Sequence, residues 1–153
     1  MTGHAAGCSV TVRCRVEWID TDASGHYHHS TVIRWVESAE AELFRRSGHS
    51  HMYGSMPRVH YEADFHSRVW FGDEVDLLLT VDHVGRSSLT MSFAVLAGAT
   101  IVASGKLVQV NAIGDDGSAA PWSDEVRDAL EGMIPAATEQ TSGTSPADVL
   151  YNP

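Results

Sequence analysis

The sequence predicts an α+β domain in which one antiparallel sheet wraps a single long helix. Three observations carry that expectation. Residues 30–48 repeat their apolar side chains at helical spacing. One run that alternates apolar and polar residues precedes this stretch, and four consecutive runs follow it. With 153 residues and 43% hydrophobic composition, the chain suits one domain with a single core.

Residues 9–18 form the first alternating run. Val10, Val12, Cys14, Val16 and Trp18 share one face, and Thr11, Arg13, Arg15 and Glu17 share the other, as in a half-buried strand that closes over Val16–Ile19. The helix is expected from about Ser30. Val32, Val36, Ala39 and Leu43 recur along one stripe, which Ile33 and Phe44 widen. Arg45 and Arg46 suit the negative end of the helix dipole, and Gly48 is the natural stop.

A loop over residues 49–56 leads to an alternating run from Arg58 to Val69, with Val59, Tyr61, Ala63, Phe65 and Val69 facing in and Arg58, His60, Glu62, Asp64, His66 and Arg68 facing out. At ~3.3 Å per residue this run would span about 40 Å, so a bend or bulge is expected midway. Phe71-Gly72-Asp73 turns the chain into Glu74–Val84, whose inward residues are Val75, Leu77, Leu79 and Val81. After the Val84–Ser87 turn, Leu89, Met91, Phe93 and Val95 mark the next strand. Ala97-Gly98 then leads to another, from Thr100 to about Asn111. Gly105 inside that last run signals a bulge or a close backbone approach. Pro121–Met133 reads as a short helix with Ser123 as N-cap and Asp124 and Glu125 in its first turn. Residues 135–153 hold few large apolar side chains and are expected to form a flexible tail on a domain of residues 1–134.

Composition narrows the function. A net charge of −10 argues against nucleic acid as a partner, since there is no basic field to meet phosphate. The N-terminus has neither a basic nor an apolar signal region, and no apolar run is long enough to span a membrane. Cys8 and Cys14 give no disulfide framework, which suits a reducing, cytoplasmic setting, and neither has a flanking base to activate it. Nine histidines invite a metal. However, His26, His28 and His29 lie at one end of the predicted helix and His49 and His51 at the other, roughly 20 Å away. His49, His51, His60 and His66 read instead as solvated side chains. No zinc-ligand spacing, nucleophile elbow or phosphate-binding glycine loop is present, so neither a metal nor a cofactor is expected.

One segment concentrates reactive groups. Asp20-Thr21-Asp22-Ala23-Ser24-Gly25-His26-Tyr27-His28-His29 places two carboxylates and three imidazoles just ahead of the helix start. Unpaired backbone N–H groups there favour developing negative charge. Thioester cleavage suits such a site, because a thiolate leaves without a strong general acid and a carboxylate is ionised at neutral pH. Asp, Ser and Gly are also ordinary turn residues, with Ser30 or Thr31 as a plain N-cap, and that reading stands beside the catalytic one.

The pattern Asp20-Thr21-Asp22-Ala23-Ser24-Gly25, followed by a helix carrying Trp35-Val36-Glu37-Ser38-Ala39-Glu40, resembles the hotdog-fold acyl-CoA thioesterases of the 4-hydroxybenzoyl-CoA thioesterase type. The likeness extends over roughly residues 8–112. Two features depart from the family pattern: the pair Thr31-Val32 opens the helix, and Glu40 stands where an Arg is usual.

The resemblance implies a hotdog fold, a five-stranded antiparallel sheet around one central helix, and hydrolysis of an acyl-CoA or acyl-carrier-protein thioester. It implies Asp22 as nucleophile or general base and the backbone amide of His29 as oxyanion donor. Gly25 would let the chain turn so that the two converge, while Asp20 ties the loop down. Tyr27, His28 and Trp35 are candidates for the acyl pocket, and Glu37 matches the family's helix Glu, with a structural hydrogen bond as its other reading. Arg86, in the turn after Gly85, is a candidate contact for a CoA phosphate. Hotdog proteins join sheets edge to edge, so a homodimer or homotetramer is expected. Two alternatives stand: a hotdog hydratase or dehydratase, and a non-catalytic acyl-CoA-binding module.

Overall fold

The computed structural model describes residues 9–133. The tail expected over residues 135–153 lies outside them, as does Cys8. Five strands form one sheet: β1 (Ser9–Arg15), β2 (Arg58–Phe65), β3 (Glu74–Val84), β4 (Ser88–Ala97) and β5 (Thr100–Val110). Their order across the sheet is β1-β3-β4-β5-β2, and every neighbouring pair is antiparallel. The long helix α1 (Thr31–Arg46) lies against β1 and β3.

The helical stripe forms as its spacing dictates. Val32, Val36, Ala39, Leu43 and Phe44 are all fully buried, and Gly48 ends the helix with a φ of 79°. They pack on the alternating residues of the sheet, with Leu77 and Leu79 of β3, Leu89, Met91 and Val95 of β4, and Leu107 of β5 fully buried. Period-2 alternation sends Asp76 and Asp82 of β3 to the other face, so one sheet surface is apolar and one is not. The short helix α2 (Asp124–Asp128) begins as expected, with Ser123 Oγ accepting from the Val126 N–H at 3.3 Å. Arg127 then donates to the carbonyls of Val84 and Gly85, fastening α2 to the β3–β4 turn.

Two strand expectations need correction. The first strand ends at Arg15 rather than running through Trp18. Residues Trp18–Asp20 form a tight turn in which the Asp20 carboxylate accepts from the Glu17 N–H at 2.8 Å. This turn swings Trp18 out to 78% exposure, although the alternation had placed it inward.

The run from Arg58 to Val69 is not one strand either. β2 stops at Phe65, and its pairing irregularity lies at its start, between Arg58 and His60, rather than midway. Val59, Tyr61 and Phe65 were expected in the core but are exposed. Among the described residues β2 is an edge strand paired only to β5, and α1 lies toward the other edge, against β1 and β3. Past Phe65 the chain leaves the ladder: the His66 and Ser67 amides both donate to the Val102 carbonyl, and Val69 accepts from Tyr27 N–H at 3.0 Å. That detour carries residues 66–70 across to the loop ahead of α1.

Gly105 meets the expected close approach. A Cβ there would run into the Glu62 carbonyl oxygen and lie 2.7 Å from Phe93 Cζ. Gly105→Ala should therefore destabilise the fold by ~1–3 kcal/mol through overpacking. A urea midpoint no lower than that of the parent protein would show that β2 can shift away at no cost.

Candidate active site

The loop between β1 and α1 is held from its first carboxylate. Asp20 is 7% exposed. Its side chain accepts from the Glu17 N–H and from Arg34, both at 2.8 Å. Its carbonyl accepts from the His28 N–H at 2.7 Å and the Thr31 hydroxyl at 3.0 Å. The residue thus ties both ends of the loop to the first turn of the helix, as its expected loop-tying role requires.

Asp22 sits at the tip of what Asp20 anchors. The Gly25 N–H donates to the Asp22 carbonyl at 2.9 Å, and Gly25 adopts a φ of 86°, a left-handed conformation that only glycine takes cheaply. Trp70 covers Gly25 closely, since a Cβ there would lie 3.5 Å from the indole ring. The Asp22 carboxylate is exposed and accepts from both the hydroxyl and the N–H of Ser24, the latter at 2.8 Å. The Ser24 hydroxyl, then its N–H, and further off His26 and His28, hold the Asp22 carboxyl below the usual carboxylate range.

Asp22 opens on a groove of about 400 Å³, lined also by His26, Tyr27, His29, Phe65, His66, Ser67 and Arg68. Tyr27 is buried between the Phe65 ring, 6.5 Å away, and the Trp35 ring, 5.9 Å away. His29 stands two residues before α1. Among the described residues its backbone N–H donates to no protein acceptor. Its neighbour is occupied: the Ser30 N–H donates to His28 Nδ1 at 3.2 Å, and Ser30 Oγ lies 2.7 Å from the same nitrogen. An ionised carboxylate and a free N–H beside one groove can act on an acyl carbonyl, one delivering an oxygen nucleophile and the other receiving the oxyanion.

The structure brings Asp22, Gly25, Tyr27 and His29 together, and it does not bring in the other candidates. His28 is engaged with Ser30 and does not line the groove. Trp35, 5% exposed, backs Tyr27 from the core rather than facing the groove. Glu37 lies outside, with Arg58 at 3.5 Å, and accepts from the Tyr53 hydroxyl through its carbonyl. Arg86 sits at the far end of β3, an eleven-residue strand of ~36 Å, and so lies away from the Asp22 of the same chain.

Four lining residues come from the segment 65–68, which sequence reasoning missed. It had placed Phe65 in the core, His66 and Arg68 on a solvated strand face, and Ser67 nowhere. Only the long-range pairing of Tyr27 with Val69 brings them to the loop, and no local pattern announces it.

Three further groups are settled by burial. His49, expected in solvent, is 7% exposed, because its N–H turns back to the Phe44 carbonyl at the helix end. Cys14 is buried on β1 and its thiol is pushed up to about 12, chiefly by desolvation, which leaves it unreactive at neutral pH. Glu40 is fully buried and ion-paired to Arg58; burial raises its carboxyl, and Arg58 opposes the rise. Among the described residues no helix is long and apolar enough to cross a membrane.

A family model described as the thioesterase-like superfamily matches residues 16–130. A 1,4-dihydroxy-2-naphthoyl-CoA hydrolase from Synechococcus sp. (strain CC9605) is 29% identical over 106 residues, which cover 62% of this chain and 71% of that protein. Among solved structures, a thioesterase from Thermus thermophilus complexed with coenzyme A and Zn superposes with a TM-score of 0.72 at 27% identity, over 85% of this chain and 94% of that one. A 1,4-dihydroxy-2-naphthoyl-CoA thioesterase from Synechocystis shares the fold, with a TM-score of 0.73 at 17% identity over 80% of this chain and 96% of that one. The architecture is that of the hotdog fold, as its sequence suggested.

Because Asp20 anchors the loop through charge-assisted bonds, Asp20→Asn should cost ~1.5–3 kcal/mol of stability. Arg34→Met should cost less, since Arg34 is half exposed, and a double-mutant cycle should show the two coupled. Additive effects in that cycle would mean that the pair contributes nothing.

Proposed function

We propose that Asp22 carries the chemistry of this chain, which belongs to the thioesterase-like superfamily and is an acyl-CoA thioesterase of the hotdog fold. The thioester of an acyl-CoA, or of an acyl group on a carrier protein, enters the groove with its carbonyl between Asp22 and the His29 amide. One observation carries this assignment: Asp22, with its exposed carboxylate, and His29, whose backbone N–H meets no protein acceptor among the described residues, line the same groove.

Attack on the carbonyl carbon pushes negative charge onto its oxygen, where the His29 N–H receives it. Collapse expels the thiolate, a leaving group that needs little protonation. Gly25 contributes the sharp turn that aims the Asp22 carboxylate, and Tyr27 with Phe65 forms the apolar wall for the acyl group. Two routes reach the free acid. Asp22 Oδ forms a mixed anhydride that water then opens, or Asp22 takes a proton from the attacking water. A single turnover in ¹⁸O water tests the first: label in Asp22 requires an anhydride opened by water at the Asp22 carbonyl, with the acyl carboxylate leaving.

We also infer that the working unit is a homodimer or homotetramer in a cytoplasmic setting. Among the described residues β2 presents an unpaired edge, and Val59, Tyr61 and Phe65 stand exposed along it. Phe65 lines the groove as well, so a second copy on this edge would also close the site.

Asp22→Asn should lower kcat at least about 100-fold while the fold survives, since the side chain is exposed and the lost group is the acid–base or nucleophilic one. Turnover within a few-fold of the parent would reduce Asp22 to a turn residue. The active form is the ionised one, and its pKa lies below the ordinary 3.8, so Asp22 imposes no activity loss until the pH falls below that value. Ser24→Ala removes the main cause of the depression, and the acid limb of kcat/KM should move to higher pH; an unmoved limb would detach it from Asp22. In sedimentation at micromolar concentration, Val59→Glu should shift the assembly toward monomers and reduce activity with it. A parent protein that is a fully active monomer would overturn the oligomer.

A further inference from the structure

The chain carries twice as many carboxylates as cationic side chains, 20 against 10. In such a chain arginines find partners, and seven of the nine do: Arg13, Arg15, Arg34, Arg45, Arg46, Arg58 and Arg127 each make an ion pair. Among the described residues only Arg68 and Arg86 make none. Both are exposed, and Arg86 lies in the turn between β3 and β4. Arg68 lines the groove that holds Asp22. The two opposite charges line one groove without forming an ion pair, and Asp22 is held by Ser24 instead.

Arg68 is also well placed to stay there. Its segment is fastened on one side by the His66 and Ser67 amides to Val102, and on the other by the Tyr27 amide to Val69. The His66 ring is fixed by Ser104 Oγ at 2.9 Å, so the wall bearing Arg68 is not a loose loop. A guanidinium with no carboxylate of its own, at the wall of an acyl site, is a receptor for a planar anion.

We propose that Arg68 receives a second carboxylate carried on the acyl chain, so that the enzyme acts on monothioesters of dicarboxylic acids. The proposal rests on the thioesterase reading of the Asp22 groove. The same anion chemistry is offered by the phosphates of CoA, but the pantetheine arm separates those from the thioester. Asp22 and Arg68 line one groove of about 400 Å³, a size that suits an acyl group whose carbonyl meets Asp22.

Matched pairs test it: glutaryl-CoA against pentanoyl-CoA, and 4-carboxybenzoyl-CoA against benzoyl-CoA. The parent protein should prefer the carboxylated member in kcat/KM by roughly 10- to 100-fold, the scale of a charge-assisted hydrogen bond. Arg68→Met should bring that ratio close to one, and Arg68→Lys should keep part of it. A parent ratio near one, or a ratio that survives Arg68→Met, overturns the proposal. It is equally overturned if Arg68→Met weakens both members alike and the loss disappears with the corresponding acyl-pantetheine thioesters, which lack the phosphates. If no thioester in the panel is hydrolysed, the hydrolytic reading fails by itself. Calorimetric binding of the same pairs to Asp22→Asn protein, with and without Arg68→Met, then still decides for or against Arg68.

Discussion

Asp20 is the constraint on which the site depends. Its carboxylate and carbonyl together hold four donors, two from the strand end and Arg34, two from the start of the helix. A carboxylate this deeply buried would be costly on its own, and the pairing with Arg34 and the Glu17 N–H offsets that cost. Once Asp20 is fixed, the loop beyond it has little freedom. Its tip must carry Asp22 outward, and the chain must return through Gly25 and Tyr27 to meet the helix. The division between the two neighbouring aspartates is therefore one of environment. Asp20 is buried and fully engaged, while Asp22 is exposed and held ionised by a single serine.

A second buried charge sets the other boundary of the domain. Glu40, near the middle of α1, pairs with Arg58 at the first position of β2. This joins the helix to a strand that the helix otherwise does not cover. The junction is imperfect: Glu40 Oε1 and Arg58 Nε have no hydrogen-bond partner among the described residues. Such a pair is weak evidence for stability and better evidence for position, since it defines where the edge strand begins. The Glu at position 40 is thus engaged within this chain, with the acid on the helix and the base on the strand.

Most of the fold was legible because it is written in short-range periods. The stripe from Val32 to Phe44 and the alternations in β3 and β4 each meet a partner surface of the same period, so local pattern and tertiary packing agree. Trp18 shows where that logic stops. Its alternation is intact, but the nearby side chain of Asp20 folds the backbone into a turn instead. Val59, Tyr61 and Phe65 alternate just as well, yet they lie on an edge strand and stay exposed among the described residues. The site divides in the same manner. Asp22, Gly25, Tyr27 and His29 lie close together in sequence and could be read together. The opposite wall, residues 65–68, is joined to them only through backbone bonds between distant segments, which leave no mark in composition or spacing.

That two-sided construction gives the groove separable inheritance. The loop ahead of α1 bears the reacting groups and is locked by Asp20, so few substitutions there are tolerated without loss of the reaction. The facing wall is a connector between β2 and β3 held mainly by its own amides, which any side chains except proline supply. Residues 66–68 can therefore vary while the backbone geometry persists. In a lineage built this way, new substrates can be explored along one short connector while the catalytic apparatus stays unchanged. Diversification of acyl preference would then be recorded in that connector rather than around Asp22.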